Sequence, residues 1–173
     1  MLRGSLTHRL LEVLPGLDVE ARARAAARII APSLTTSGLS ASGLSQREAD
    51  QALEETLTLL DDPHLADIFG QGSRAEVPIS GLIGKEVVSG IIDRLVITED
   101  GITIIDFKTG PSPQRGQPVN ASYIAQQGIY VHVLKQIWPD RAIRAGLIYT
   151  EDASLIWLDD KEMVAKIAPL LDG

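Results

Sequence analysis

Residues 86–97 (EVVSGIIDRLVI) and 102–108 (ITIIDFK) are two β-branched, apolar runs separated by Thr98-Glu99-Asp100-Gly101. A turn ending in Asp-Gly between two such runs predicts a β-hairpin. The hairpin is unusual for what its apolar strands carry: Asp93 on the first, Asp106 and Lys108 on the second. A charged group in such a strand is costly unless it is paired or bound to a metal. Two registers satisfy the turn. With Glu99-Asp100 as the loop, position i pairs with 199 − i and Asp93 faces Asp106. With Asp100-Gly101 as the loop the sum is 201, and Asp93 faces Lys108. In either register, directly opposed and alternate residues share a face, so Asp93, Asp106 and Lys108 come together.

Two readings of that cluster are open. One is a structural salt bridge between Lys108 and one of the acids. The other is a site for a hard divalent cation, Mg²⁺ or Mn²⁺, with oxygen ligands from both carboxylates and from the Phe107 carbonyl. Lys108 beside such a metal could orient a water or stabilise charge on a phosphate. The second acid on the same face favours the metal.

The rest of the chain supplies a frame. Residues 5–14 predict a helix with Leu6, Leu10, Val13 and Leu14 on one side, stopped by Pro15-Gly16. Residues 18–31 predict a second helix, ended by Pro32. The Ser/Thr/Gly-rich stretch 33–44 predicts a mobile loop. Ser45 with Glu48 reads as a capping box opening a helix over 46–60, its buried face carrying Ala49, Ala52, Leu53, Thr56, Leu57 and Leu60. A short helix is expected near 63–69. The acidic run from Glu48 to Asp67 reads as a solvated helical face.

From Arg74 the character changes. Strands are predicted at 74–80, placed at a sheet edge by Pro78, and at 142–149 and 153–158. A long helix is predicted over 119–137 and a last one over 160–171. The fold class is α/β: a mixed central sheet flanked by helices, with an N-terminal helical part (1–70) and an α/β part (74–173) in one domain.

Composition narrows the function. The 173 residues contain no cysteine, which excludes disulfides, thiol nucleophiles and Cys-ligated zinc or iron–sulfur clusters. A reducing cytoplasm fits. Aromatics are 4%, too few for a base-stacking platform. No run of about 18 apolar residues predicts a membrane span, and no apolar stretch follows Met1 to predict a secretory leader. The net charge of −7 argues against a general nucleic-acid coat. It is uneven: residues 33–100 hold Arg47, Arg74, Lys85 and Arg94 against twelve acids, whereas 101–150 hold five basic residues against Asp106 and Asp140. A carboxylate cluster carrying divalent cations can still meet phosphate.

Three other places could complete a site. His8 lies on the first helix between Leu6 and Leu10, where a lone histidine is more often a surface or satisfied core residue than a ligand. Glu76 is the one acid of strand 74–80 and by itself reads as a solvated edge residue. Tyr123, Gln126 and Tyr130 share one face of helix 119–137, either to hydrogen-bond phosphate or base or as a half-buried seam.

Taken in order, Gly4-x-x-x-His8, Glu76, Gly90-x-Ile92-Asp93-Arg94, Asp106-Phe107-Lys108-Thr109-Gly110 and Tyr123-x-x-Gln126-x-x-x-Tyr130 resemble the RecB-type nuclease domain of the PD-(D/E)XK superfamily, with its restriction-endonuclease-like core. Within that family, Arg3-Gly4-Ser5-Leu6-Thr7-His8-Arg9-Leu10-Leu11 with Leu14-Pro15 is similar to the start of the C-terminal nuclease domain of AddA, the helicase–nuclease subunit of bacterial AddAB. The resemblance implies a metal held by His8, Asp93, Asp106 and the Phe107 carbonyl, with Lys108 as catalytic lysine. It places Gln126, Tyr130, Tyr123, Arg94 and Glu76 in DNA binding or site support. It implies Mg²⁺-dependent hydrolysis of DNA phosphodiesters, leaving 5′-phosphate and 3′-hydroxyl ends, in processing double-strand breaks for recombinational repair in the bacterial cytoplasm. Mn²⁺ would be an alternative metal. The iron–sulfur cluster of the AddB-like and Cas4-like relatives has no cysteines here to hold it. The chain then reads as a fragment of a longer helicase–nuclease, fed single-stranded DNA by its motor and partnered by an AddB-like subunit. ATP would act only through that motor, because no GxxxxGK[ST] loop occurs in these residues. The alternative is a non-catalytic nuclease-like module that binds DNA or a partner.

Overall fold

The computed structural model describes residues 2–34 and 43–171. Most of the loop expected over 33–44 therefore lies outside the described residues. Among the described residues, six α-helices and five strands follow in the order α1 (Leu2–Val13), α2 (Val19–Ile30), α3 (Gln46–Asp61), α4 (Ala66–Phe69), β1 (Ser73–Ile83), β2 (Glu86–Ile97), β3 (Ile102–Lys108), α5 (Ala121–Ile137), β4 (Ile143–Tyr149), β5 (Ser154–Trp157) and α6 (Asp160–Leu171). The strands form one sheet in the order β1-β2-β3-β4-β5. All neighbours are antiparallel except β3 and β4. That parallel pair needs a crossover, and α5 provides it. The expected mixed α/β architecture is what is found.

Local sequence explains the boundaries. Asp18 caps α2 and Asn120 caps α5. Ser45 and Glu48 form the reciprocal capping box of α3. The β2–β3 register settles on the 199 sum, with Arg94 opposite Ile105 and Ile97 opposite Ile102. Thr98 N–H donates to Gly101 O at 3.0 Å, closing the turn around Glu99-Asp100. β1 does lie at an edge, but it runs through Pro78 to Ile83 and turns at Gly84-Lys85, three residues beyond the predicted end.

The sheet is covered on both faces. Ile124, Val131, Val133 and Leu134 of α5 and Met163 of α6 pack on Ile92, Leu95, Ile102, Ile104 and Ala145. On the other face Leu11, Leu59, Leu65 and Ile68 of the N-terminal helices pack on Ile105, Phe107 and Ile148. A third cluster joins α1, α2 and α3 to each other through Leu6, Leu10, Ala26, Ile30, Ala49 and Ala52. The buried face of α3 is rotated from the one expected. Ala49, Ala52, Glu55, Thr56 and Leu59 are inside, while Leu53, Leu57 and Leu60 are only partly covered. The rotation puts a carboxylate, Glu55, in the interior.

Candidate metal and nuclease site

β2 is twelve residues long, but only Arg94–Ile97 pair with β3. Before Arg94 it runs with β1 alone. Asp93 stands at this fork, and its Oδ2 accepts the Phe107 N–H at 2.8 Å, where a neighbouring strand would otherwise supply a carbonyl. The strands are irregular here. Ile92 and Leu95 both face the α5 core, so the inward–outward alternation of β2 changes phase across Asp93. The ladder on β1 skips Glu76, the residue opposite, although its register is the same on either side. Glu76 has φ of +50°, a left-handed conformation that costs a non-glycine residue about 1 kcal/mol or more.

Two side chains from outside the hairpin enter the fork. His8 of α1 brings Nδ1 to 3.6 Å from Asp93 Oδ2 and Nε2 to 3.2 Å from Phe107 O. Gly4, one turn earlier, allows this close approach: a Cβ there would lie 3.3 Å from Thr109 Oγ1. His8, Glu76 and Asp93 each offer a donor atom within 4.8 Å of the others. Asp106 lies outside this trio. It is buried, and its Oδ2 forms an ion pair with Lys108 Nζ at 2.5 Å. The Lys108 ammonium in turn sits over the Tyr123 ring, 3.9 Å from its centre. The salt bridge anticipated for Lys108 and an acid is therefore present, and a second acid remains beside it.

The carboxylates crowd one another. Burial, and then the charge of Asp106, push the Asp93 carboxyl up to about 6, against the opposing effects of His8 and the Phe107 N–H. Glu76 adds a further push upward. One imidazole, carboxylate oxygens and a backbone carbonyl form the donor set of a hard divalent cation. The crowding of Asp93 by Asp106 and Glu76 is what such a cation would relieve. The residues present fit it.

Other expected site residues are placed differently. Arg94 is buried under α1 on the face away from α5, only 3% exposed. Its guanidinium donates to Leu11 O and to Ser73 Oγ and lies over the Phe69 ring. Burial lowers its pKa to about 10, so it stays charged. It cannot touch DNA from there; it ties α1 to the sheet. Tyr130 is also buried, its ring against Gly90, where a Cβ would fall 2.3 Å from the hydroxyl. Gln126 Nε2 donates to that hydroxyl at 3.3 Å. These two residues brace the fork from behind, whereas Tyr123 touches Lys108. Sequence reasoning missed Tyr149, a buried residue opposite Lys108 in the β3–β4 ladder. Burial pushes its hydroxyl up, with Tyr123 and Asp106 adding to the effect. Its place was readable only once β3 and β4 were known to be parallel neighbours.

The fold has a structural counterpart in the crystal structure of a presumed exonuclease from Eubacterium rectale. The two superpose with a TM-score of 0.67 at 15% identity, over 99% of this chain and 63% of the other. The chain thus spans less than two thirds of that protein. A second structure, SSO0001, gives a TM-score of 0.34 at 18% identity over 73% of this chain and 68% of that one, too low to carry an argument. No curated protein sequence matches. The family model of the PD-(D/E)XK nuclease superfamily matches residues 2–169, nearly the whole sequence. The forked sheet, the acids and lysine at its fork and this match agree: the chain belongs to the PD-(D/E)XK nuclease superfamily.

Proposed function

We propose that this chain is a metal-dependent deoxyribonuclease domain that hydrolyses phosphodiester bonds at the β2–β3 fork. The observation that carries the reading is the convergence there of His8, Glu76 and Asp93, with the Lys108–Asp106 pair beside them. His8, Asp93, Asp106 and the Phe107 carbonyl would hold Mg²⁺ or Mn²⁺, with Glu76 as a further carboxylate. When bound, the cation supplies Lewis-acid polarisation of the scissile phosphate and an activated water. Lys108, kept in place by Asp106 and the Tyr123 ring, presents its ammonium to that water or to the charge developing on phosphate. Asp93 is held by the Phe107 N–H, so its free oxygen is fixed in direction. Gln126 and Tyr130 fix the backbone at Gly90 and so the approach to Asp93.

The wider reading is that this domain processes double-strand breaks for recombinational repair in the bacterial cytoplasm, as part of an AddAB-like helicase–nuclease with an AddB-like partner subunit. It rests on the sequence likeness of residues 3–15 and on the absence of cysteine. Among the described residues no helix is long and apolar enough to cross a membrane. The test is cleavage of end-labelled single-stranded DNA with Mg²⁺ or Mn²⁺ against EDTA, using wild type and Lys108→Ala. Metal-dependent cutting that disappears in the variant supports the assignment. Cutting that survives in Lys108→Ala or in EDTA overturns it.

A further inference from the structure

Behind the fork lies a buried polar network that the proposed reaction does not use. Glu55, in the middle of α3, is 7% exposed. Its Oε1 accepts from the Arg3 guanidinium of α1 and from Gln51 Nε2 at 3.1 Å. Its Oε2 accepts from Thr150 Oγ1 at 2.9 Å. Thr150, 1% exposed, passes the connection on: its N–H donates to Lys108 O at 3.0 Å. One carboxylate thus joins three separate pieces of chain. Two of them carry site residues. Arg3 lies on the same helix as His8, five residues before it, and Thr150 is bonded to the last residue of β3.

A buried ion pair adds little stability over well-packed apolar residues, because desolvation offsets most of the attraction. What it does add is fixed geometry, since each of its oxygens has a set direction and a set partner. α1 is tied down by a polar link towards each end: Arg94 donates to Leu11 O near its C-terminus and Arg3 to Glu55 near its N-terminus. His8 lies between the two links, and its distance from Asp93 depends on both, because the two residues belong to different layers of the fold. We infer that Glu55 is a positioning residue: through Arg3 it sets the rotation and height of α1, so that His8 meets Asp93 and the Phe107 carbonyl. Through Thr150 it fixes the strand end that bears Lys108. The inference rests on the metal-site reading above only for its second readout.

The first readout needs no metal. In the metal-free chain, Glu55→Gln is expected to move the imidazole ¹⁵N and ring-proton resonances of His8, assigned by their loss in His8→Ala, and to leave those of His64 unmoved. The second is Mn²⁺ affinity by calorimetry without DNA. Residues that orient metal ligands are worth about 10–100-fold in affinity, and Glu55→Gln is expected to lose about tenfold. In a His8→Ala background the same substitution is expected to cost clearly less affinity than in wild type, because the α1 arm then has no ligand to position and only the Thr150 arm remains. Leu60→Ala, on the same helix and packed in the helical core, is expected to lower thermal stability and leave Mn²⁺ affinity unchanged. If Glu55→Gln fails to fold, Arg3→Met removes only the α1 arm and is expected to give the same His8 shift and loss of affinity. Unmoved His8 resonances in a folded Glu55→Gln or Arg3→Met chain overturn the inference, as does an equal loss of affinity in the His8→Ala background. If wild type binds no Mn²⁺, the nuclease reading fails, and the His8 resonances still decide the role of Glu55.

Discussion

Asp93→Asn removes the charge that the fork accommodates least well. The Asp93 carboxyl is raised from 3.8 to about 6, first by burial and then by Asp106. At about 1.4 kcal/mol per tenfold change in proton affinity, ionising it at pH 7 costs the metal-free fold about 3 kcal/mol. The sign follows from the direction of the shift. The folded state binds this proton more tightly than the unfolded chain, so the stabilisation is complete below pH 3.8 and is lost as pH rises through about 6. Asparagine has the same shape, its carbonyl can keep the Phe107 N–H, and it carries no charge. Asp93→Asn is therefore expected to stabilise the domain in EDTA at pH 7 by about 2–3 kcal/mol, or about 5–10 °C in Tm for a chain of this size. The advantage should shrink below pH 6 and close near pH 4. Added Mn²⁺ should close this gap. At a hundredfold excess over Kd it stabilises wild type by about 2.7 kcal/mol, and it should do nothing for the variant. Calorimetric melts at several pH values, with EDTA or Mn²⁺, make the measurement. A variant less stable than wild type in EDTA at pH 7, or one still stabilised by Mn²⁺, refutes the claim that the fork is strained for a cation.

Lys108→Ala is expected to lower cleavage by about 10²–10⁴-fold, measured under single-turnover conditions, while Mn²⁺ still binds. Arg94→Met should cost about 2–4 kcal/mol in urea unfolding by leaving the Leu11 carbonyl unpartnered, with no change in the salt dependence of DNA binding; a reduced salt slope would return Arg94 to the DNA surface. Gly90→Ala should destabilise by about 1–3 kcal/mol because its methyl overlaps Tyr130, and Tyr130→Ala in the same chain should recover part of the lost Tm. Glu76→Gly relieves the positive φ and is expected to raise metal-free stability by about 1 kcal/mol while weakening Mn²⁺ binding in calorimetry.

Much of the fold was legible because its signals are local. The bounds 86–97, 102–108 and 160–171 are those of β2, β3 and α6, since alternation, a turn dipeptide and helix periodicity each act over a few residues. β1 runs three residues past the predicted end at Ser80. At an edge, Pro78 is tolerated, and Gly81 makes room for Val133. The cluster of Asp93, Asp106 and Lys108 was readable from register alone, but depth was not. Arg94 and Tyr130 have the chemistry of DNA contacts and lie buried. Glu55 looked like one more acid of a solvated run, yet it stands three residues after Ala52 and four before Leu59, on the buried stripe. That spacing was the available signal. Its partners Arg3 and Thr150 are 52 and 95 residues away, and no local pattern reports them.

The turn of backbone at Glu76 has a consequence for how this chain meets others. β1 is an outer strand, and an outer strand with free N–H and C=O groups invites another chain to extend the sheet. Here the regular ladder is interrupted at Glu76, and two residues later Pro78 withholds an N–H. At the opposite margin β5 is only four residues long. The distortion that aims a carboxylate at His8 thus also spoils the template for strand addition. An outer strand interrupted in this way is a poor template for strand addition by another copy of the chain.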